Sequence, residues 1–292
     1  MIERALGFGP GNGLVGTLCL PPAESGAGAS AGIILFNAGI VHRIGPHRFN
    51  VRLARALARA GIASLRFDLA SLGDSARASG ELGYEAQAVS DLQTAMTALG
   101  AATGLERFGL FGFCSGAFHS YNTAQADARV AGILLFEAYR YATWKTRLIR
   151  LALRVRQHGV LATGLRLSWT MLRQLAEKVH LLKAPEPLAR ALGLGYIADA
   201  TTKEAFAQGV RGLLNRNIHV AMIYAGDGFE FYNYPAQFSD AFKHLGINER
   251  VTATFLPDID HVATGTAAQD ALLMHVLPWS AMLAGIRLAP PA

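Results

Sequence analysis

The chain has 292 residues, a hydrophobic fraction of 51% and a formal net charge of +6. A charged fraction of only 16% excludes extensive intrinsic disorder, and the length suits one large domain with an insertion better than several small domains. The two cysteines, Cys19 and Cys114, provide no disulfide framework.

The charge pattern and the hydropathy pattern narrow the class of protein further. Lys and Arg runs interleaved with aromatic residues, as in a nucleic-acid groove, are missing, so we expect no nucleic-acid partner. The N-terminus has no apolar signal-peptide region, and no apolar stretch reaches the length of a membrane span. We therefore expect a soluble cytoplasmic protein. The basic balance would still attract an anionic partner.

Strand-compatible runs alternate with helical patterns along the chain, which is the order that produces a mostly parallel sheet with helices on both faces. The fold class predicted is therefore α/β. The first two runs flank a Gly-rich turn and predict a hairpin or a pair of edge strands. The eight predicted strands are Ile2–Phe8, Leu14–Leu20, Gly32–Asn37, Ile62–Phe67, Phe108–Phe113, Val130–Phe136, Ile218–Ala225 and Val251–Leu256.

The alternation stops from Tyr139 to about Leu214, where the pattern is helical throughout. We predict a helical cap over residues 139–214, inserted into a core formed by residues 1–138 and 215–292. An apolar stripe in the cap is expected to pack on the core, with an acyl-pocket lining as the alternative. The stripe consists of Trp144, Leu148, Leu151 and Val155, and a further helical pattern covers Trp169–Leu182.

The most informative segment is Gly112–Gly116, with the sequence GFCSG, between a predicted strand and a predicted helix. A nucleophile in a tight strand-turn-helix needs small residues two positions away on each side, because neighbouring backbones come close. The two glycines meet this need around Cys114, and the N–H groups at a helix N-terminus favour a thiolate. Two alternatives remain: Cys114 is a small core residue, or Ser115 is the nucleophile.

Two further residue types complete a candidate catalytic set. Asp227 directly follows a predicted strand, at the sheet edge where such folds place their sites. His261 lies between the last strand and the last helix, from where it can reach the same edge. We predict His261 as the base and Asp227 as the acid that orients it. Glu137, at the end of the preceding strand, is the reserve candidate, and Asp258 or Asp260 could also replace Asp227.

These motifs resemble the nucleophile–acid–histidine order of the α/β-hydrolase superfamily. The segment Arg66–Ser75 also resembles the loop after that superfamily's fourth strand, so the resemblance spans nearly the whole chain outside the cap. A cysteine in this position is similar to the Cys-His-Asp triad of dienelactone hydrolases. Together with FNAGIVHRIGPHR, from residue 36 to residue 48, the motifs look closer to capped bacterial hydrolases, including those associated with exosortase and exopolysaccharide gene clusters.

The resemblance also implies an oxyanion hole, which is a pair of N–H groups that bind the developing negative oxygen. The resemblance assigns one donor to the backbone N–H of Ser115 and the second to the backbone N–H of Ala38 or Gly39.

The segment around this loop, from residue 37 to residue 48, contributes four candidate substrate-binding residues: Asn37, Arg43, His47 and Arg48. If Pro46 opens a helix, His47 and Arg48 lie in its first turn, where a cation opposes the helix dipole. Such a placement suggests a grip on an anionic or carbonyl-rich substrate. A solvated face is the equal alternative.

The sequence contains a glycine motif of the kind that binds dinucleotides, but its surroundings argue against such a site. The spacing of potential ligands argues against a metal site. Residues 11–16 match G-x-G-x-x-G, but a short strand pattern and not a helix follows them. No His, Cys or Asp cluster has metal-ligand spacing. We therefore expect neither a cofactor nor a metal.

The function that these observations predict is hydrolysis of an ester, thioester or lactone through an acyl-enzyme on Cys114. The expected partner is a small acyl substrate, with a CoA-linked or carrier-protein-linked form left open, as is a homodimer. Two alternatives are an acyltransferase that passes the acyl group to an amine or alcohol, and a non-catalytic binding protein of the same fold.

Overall fold

The computed structural model describes residues 1–22, 28–78, 80–160, 201–228 and 231–288. These form an eight-stranded sheet in the order β1-β2-β4-β3-β5-β6-β7-β8. The strands are β1 (Ile2–Phe8), β2 (Leu14–Leu20), β3 (Gly32–Leu35), β4 (Ser64–Phe67), β5 (Phe108–Phe113), β6 (Val130–Phe136), β7 (His219–Ala225) and β8 (Thr252–Leu256).

Strands β1 and β2 form an antiparallel hairpin, β2 pairs antiparallel with β4, and all later pairings are parallel. The parallel strands β5 and β6 are buried along their whole length. This burial explains their continuous apolar sequence, because a parallel sheet is covered on both faces. The predicted α/β class with a mostly parallel sheet is confirmed.

Helices cover the two faces of the sheet and form one hydrophobic core on each. The first core lies between the sheet and α2, α3, α5 and α6, and the second lies between the sheet and α1 and α7. The helices are α1 (Phe49–Arg59), α2 (Tyr84–Thr103), α3 (Ser115–Ala126), α4 (residues 144–160), α5 (Lys203–Asn215), α6 (Gln237–Phe242) and α7 (Thr266–Ala284).

The segment before α1 differs from the prediction. Pro46–Arg48 is a short 3-10 turn, and both His47 and Arg48 have left-handed backbone angles, with φ of 47° and 64°. The α-helix therefore begins at Phe49, after these two residues. The expectation that His47 and Arg48 lie in the first helical turn is wrong.

The predicted cap, residues 139–214, extends too far at its C-terminal end. Helix α5 lies inside that span, yet its buried side chains Phe206, Val210 and Leu213 belong to the first core. The Tyr139 ring stacks on the Phe206 ring with 4.2 Å between centroids. Both ends of the predicted insertion are therefore anchored in the core. Residues 161–200, including Trp169–Leu182, lie outside the described residues.

The apolar stripe of α4 is not packed on the core in the way the sequence suggested. Trp144 is 68% exposed, Leu148 is 54% exposed and Leu151 is 39% exposed. The stripe faces outward along the described part of α4, and the expectation of core packing is corrected for these three residues. None of the helices in the described ranges combines the length and the hydropathy that a membrane span requires.

Candidate active site

Cys114 forms the apex of the turn between β5 and α3. Its φ of 54° and ψ of −117° lie outside the regions that non-glycine residues favour, so the turn is strained. The Cys114 N–H donates to the Phe136 carbonyl at 2.9 Å, which ties the apex to the end of β6. The side chain is half-buried. This is the geometry that presents a side chain at the carboxyl edge of a parallel sheet.

The two flanking glycines are required by contact distances. A Cβ on Gly112 would lie 2.5 Å from the Ala117 Cα, and a Cβ on Gly116 would lie 2.9 Å from the Asn37 carbonyl oxygen. Both distances are shorter than real Cβ contacts, and the partners are backbone atoms that cannot move aside. The small residues predicted on each side of Cys114 are thus a steric requirement of the turn.

His261 lies in the loop between β8 and α7, where the structure brings it to Cys114. Its Nδ1 is 3.1 Å from Oε2 of Glu137, which leaves Nε2 for the thiol. Hydrogen bonding with Cys114, and secondly with Glu137, raises the pKa of His261 to about 10. The imidazole is therefore placed to carry a proton beside the sulfur.

The carboxylate beside His261 is Glu137 and not Asp227. The Glu137 side chain is fully buried, and its Oε1 accepts the Ala225 N–H at 2.6 Å. Asp227 lies in the turn after β7 and is exposed. The prediction of Asp227 as the orienting acid is corrected. The reserve candidate at the end of β6 takes this position, because β6 adjoins the elbow strand directly while β7 is one strand further away.

The other two acidic alternatives do not contact His261 either. Asp258 is exposed. Oδ1 of Asp260 accepts the N–H groups of Val262 and Thr264 at 3.1 and 2.8 Å, so this carboxylate stabilises the loop that carries His261. These hydrogen bonds lower the pKa of Asp260 against the opposing effect of its burial.

Arg140 is a residue of this site that the sequence analysis missed. Its Nη1 donates to Oε2 of Glu137 at 3.0 Å, so it shares this oxygen with His261. Its guanidinium also lies over the Phe231 ring, 4.9 Å from the centroid. The spacing of three residues from Glu137 is the only sequence signal for this pair, and it has meaning only once Glu137 is known to belong to the site.

The predicted oxyanion loop adjoins the elbow, with one unexpected hydrogen bond. The Gly39 N–H donates to the Ser115 Oγ at 2.7 Å. Ala38 forms an isolated bridge with Val41, whose N–H donates to the Ala38 carbonyl at 3.0 Å. The structure therefore brings Ala38, Gly39 and Ser115 together beside Cys114, and the Gly39 N–H is already occupied.

Asn37 and Arg43 hold this loop in place, and the structure does not support their prediction as substrate-binding residues. Asn37 Nδ2 donates to Asp68 Oδ1 and to the Val41 carbonyl at 2.9 and 2.8 Å. The Asn37 Oδ1 accepts the Leu69 N–H at 2.7 Å. Arg43 donates to the buried Asp68 carboxylate from both its backbone and its side chain. With these polar atoms engaged inside the protein, the two residues position the loop.

Comparisons with solved structures agree on the architecture. A serine hydrolase from Xanthomonas campestris, described as lacking a lid, has a TM-score of 0.52 at 16% identity, covering 99% of this chain and 96% of its own. A proline iminopeptidase from Mycobacterium smegmatis has a TM-score of 0.53 at 14% identity, with coverage of 97% and 99%. A carboxylesterase structure from Nitrososphaera gargenis has a TM-score of 0.53 at 13% identity, with coverage of 96% and 99%.

The chain has the α/β-hydrolase fold. No protein-family model matches it, and no curated protein matches its sequence. Within this α/β-hydrolase fold, Cys114, Glu137 and His261 follow β5, β6 and β8, so all three lie at the carboxyl edge of the sheet.

Of the remaining predicted residues, His47 lies beside the loop that carries His261. The His47 Nε2 is 3.4 Å from Thr264 Oγ1, and Gln269 Nε2 donates to the His47 carbonyl at 3.1 Å. These contacts place His47 near the loop of His261, and its side chain is exposed. Arg48 is also exposed and immediately precedes α1.

A cluster of potential metal ligands lies next to the oxyanion loop. His42, Asp68 and Asp74 offer ligand atoms within 4.8 Å of one another. However, Arg43 Nη1 already bridges the two carboxylates, at 2.5 Å from Asp68 and 2.7 Å from Asp74. The guanidinium takes the position that a cation would need, so this donor set does not fit a metal ion.

Proposed function

We propose that the chain is a hydrolase of activated acyl compounds (esters, thioesters or lactones), with Cys114 as nucleophile, His261 as base and Glu137 as orienting acid. The single observation that carries the proposal is the arrangement of His261. The ring lies between the half-buried thiol and a fully buried carboxylate, and its pKa is raised to about 10. The structural neighbours include a serine hydrolase and a carboxylesterase, which supports the same reaction class.

The proposed reaction has two halves. Transfer of the Cys114 thiol proton to His261 gives a thiolate–imidazolium pair, the sulfur attacks the carbonyl carbon, and hydrogen-bond donors at the elbow hold the oxyanion. The tetrahedral intermediate collapses as the C–O or C–S bond of the leaving group breaks, and the imidazolium returns its proton to that group. Water, deprotonated by His261, then attacks the thioester and releases the carboxylic acid and the thiol.

The proposed acid differs chemically from the aspartate that the sequence suggested. Glu137 has a side chain one methylene longer than that of an aspartate, and it reaches His261 from the end of β6. Its Oε1 accepts the Ala225 N–H and its Oε2 accepts from Arg140 beside His261, so the carboxylate cannot rotate away. Such fixation keeps the imidazole in one tautomer, with Nε2 toward the sulfur.

Intact-protein mass spectrometry tests the nucleophile. Incubation with p-nitrophenyl acetate should add one acetyl group to Cys114, and iodoacetamide should alkylate the same residue. Cys114→Ala should lose both adducts, and His261→Ala should form them more slowly. The matched control is Cys19→Ala, since Cys19 is fully buried and its variant should keep both adducts.

Two results would contradict the proposal: an acetyl group that maps to Ser115, or a wild-type protein that gains no adduct from either reagent. Product analysis with hydroxylamine present then distinguishes the acceptors. A hydroxamate formed faster than free acid would favour acyl transfer to an amine over hydrolysis.

A further inference from the structure

The Ser115 hydroxyl engages one of the two N–H groups that were predicted to bind a substrate oxygen. The Gly39 N–H, one of the two predicted backbone donors, already donates to Ser115 Oγ at 2.7 Å. A hydrogen bond of this length is fully formed. For Gly39 to bind an oxyanion directly, that bond would have to break and the hydroxyl would have to move.

The hydrogen-bonding capacity of a serine hydroxyl allows a second way of binding an oxyanion. The group has one donor and two acceptor sites. Accepting from Gly39 uses one acceptor site and leaves the O–H proton available. Within the described ranges the Ser115 hydroxyl donates to no protein acceptor. The residue next to Cys114 therefore has an O–H proton that can be donated to a substrate.

We propose that the Ser115 side chain, polarised by the Gly39 N–H, is the second oxyanion donor of this site. One residue then supplies both donors, its backbone N–H at the start of α3 and its Oγ–H. The chain of hydrogen bonds runs from Gly39 N–H to Ser115 Oγ–H to the oxyanion, and each bond in such a chain strengthens the next. This inference rests on the proposed function. The hydroxyl keeps its proton throughout, so no group is transferred to it.

The rival arrangement is a hydroxyl that merely blocks the hole and rotates away when substrate binds. The two arrangements predict opposite effects for the removal of the hydroxyl. An oxyanion held by the hydroxyl lies roughly two hydrogen-bond lengths from the Gly39 nitrogen, so the N–H freed in Ser115→Ala cannot replace the lost donor. If the hydroxyl only blocks, the same variant opens the hole and turnover rises or stays constant.

The experiment compares Ser115→Ala with Ser115→Thr, which keeps a hydroxyl. Two rates are measured for each protein: steady-state turnover of p-nitrophenyl acetate, and alkylation of Cys114 by iodoacetamide. Alkylation forms no oxyanion, so it reports only the state of the Cys114–His261 pair. We expect Ser115→Ala to lower kcat about a hundredfold, with KM and the alkylation rate within about threefold of wild type, and Ser115→Thr to recover most of the lost rate.

Unchanged or faster turnover in Ser115→Ala would overturn the inference, and so would a parallel loss of alkylation, which would indicate structural damage. Failure of the proposed function itself has a different signature. In that case the wild-type protein gains no acyl adduct on Cys114 and shows no Cys114-dependent turnover for Ser115→Ala to lower.

Discussion

At the scale of single residues, the backbone and side-chain contacts of Glu137 fix the carboxylate beside His261. Glu137 has a left-handed backbone φ of 63°, a conformation that costs non-glycine residues about 1–3 kcal/mol. Its N–H donates to the Ile223 carbonyl at 2.9 Å, and its carboxylate accepts from the Ala225 N–H. Both bonds fasten it to β7. The backbone strain is therefore offset by contacts that aim the carboxylate at His261.

Replacing Glu137 by Gln should lower the pKa of His261. The ring pKa is raised by Cys114 first and by Glu137 second, so the neutral amide removes one of the two causes. In wild type the imidazolium should persist through neutral pH and deprotonate near pH 10. In Glu137→Gln the deprotonation should move to lower pH, and kcat should fall about a hundredfold or more because the ring orientation is lost. NMR titration of the His261 ring and steady-state kinetics measure the two effects.

Asp227→Asn is the matched control, since Asp227 is exposed and lies outside the pair. Its turnover and its His261 titration should both stay close to wild type. The assignment fails if Asp227→Asn removes activity while Glu137→Gln keeps it.

The residue pattern singles out the proposed nucleophile and the proposed base, but it does not single out the proposed acid. The glycines around Cys114 report a steric requirement, and His261 stands between the last strand and the last helix. Asp227 and Glu137 each directly follow a parallel strand, so the sequence places both at the same sheet edge. The choice depends on strand order and on the backbone angle of Glu137. Neither the strand order nor this backbone angle can be read from the residues around Glu137 and Asp227.

At the scale of elements, the strands were the most predictable part of the chain. The predicted bounds of β5 and β6 match the structure, because strands covered on both faces read as uninterrupted apolar runs. The turn Pro46–Arg48 was not predictable, since two consecutive non-glycine residues there adopt positive φ. A tertiary contact, the Gln269 side chain on the His47 carbonyl, holds that turn from a distant helix.

Helix α4 shows the limit of periodicity as evidence. The spacing of Trp144, Leu148 and Leu151 correctly predicts one apolar side of a helix. It does not tell whether that side is covered, and in the structure all three residues are exposed.

Substitution on this stripe should therefore have little effect on folding. We expect Leu148→Glu to change the free energy of unfolding by no more than about 0.5 kcal/mol, since the side chain is 54% exposed. Leu53→Ala in α1 is the contrasting variant, because Leu53 is fully buried, and it should cost about 2–5 kcal/mol. Urea denaturation measures both. A loss of more than about 2 kcal/mol in Leu148→Glu would mean that the stripe is covered in the folded protein.

At the scale of the whole molecule, parallel topology assembles the site from distant segments. Strands β5 and β6 pair in parallel, β6 pairs with β7, and β7 pairs with β8. All four therefore end at one edge, and the loops after β5, β6 and β8 carry Cys114, Glu137 and His261. The fold class followed from the order of elements alone. The hydrogen bonds among these loops required the three-dimensional packing.

Acid stability of the whole molecule should depend on His119, on α3. Its ring is 3% exposed, lies 5.2 Å from the Tyr84 ring and makes no hydrogen bond within the part of the chain that the structure describes. Burial lowers its pKa to about 4, so the folded protein keeps the ring neutral after the unfolded chain has taken up a proton near pH 6.5. The folded state should lose about 3 kcal/mol between pH 6.5 and pH 4 from this group.

The measurement is urea denaturation across that pH range for wild type, His119→Leu and the exposed control His244→Gln. The leucine variant has no ring to protonate, so its stability should fall less steeply toward pH 4 than that of wild type. The histidine at position 244 is solvated in both states, so His244→Gln should follow the wild-type curve. Equal slopes for wild type and His119→Leu would show that the ring is hydrated or partnered in solution. The pH dependence would then have to arise from other groups.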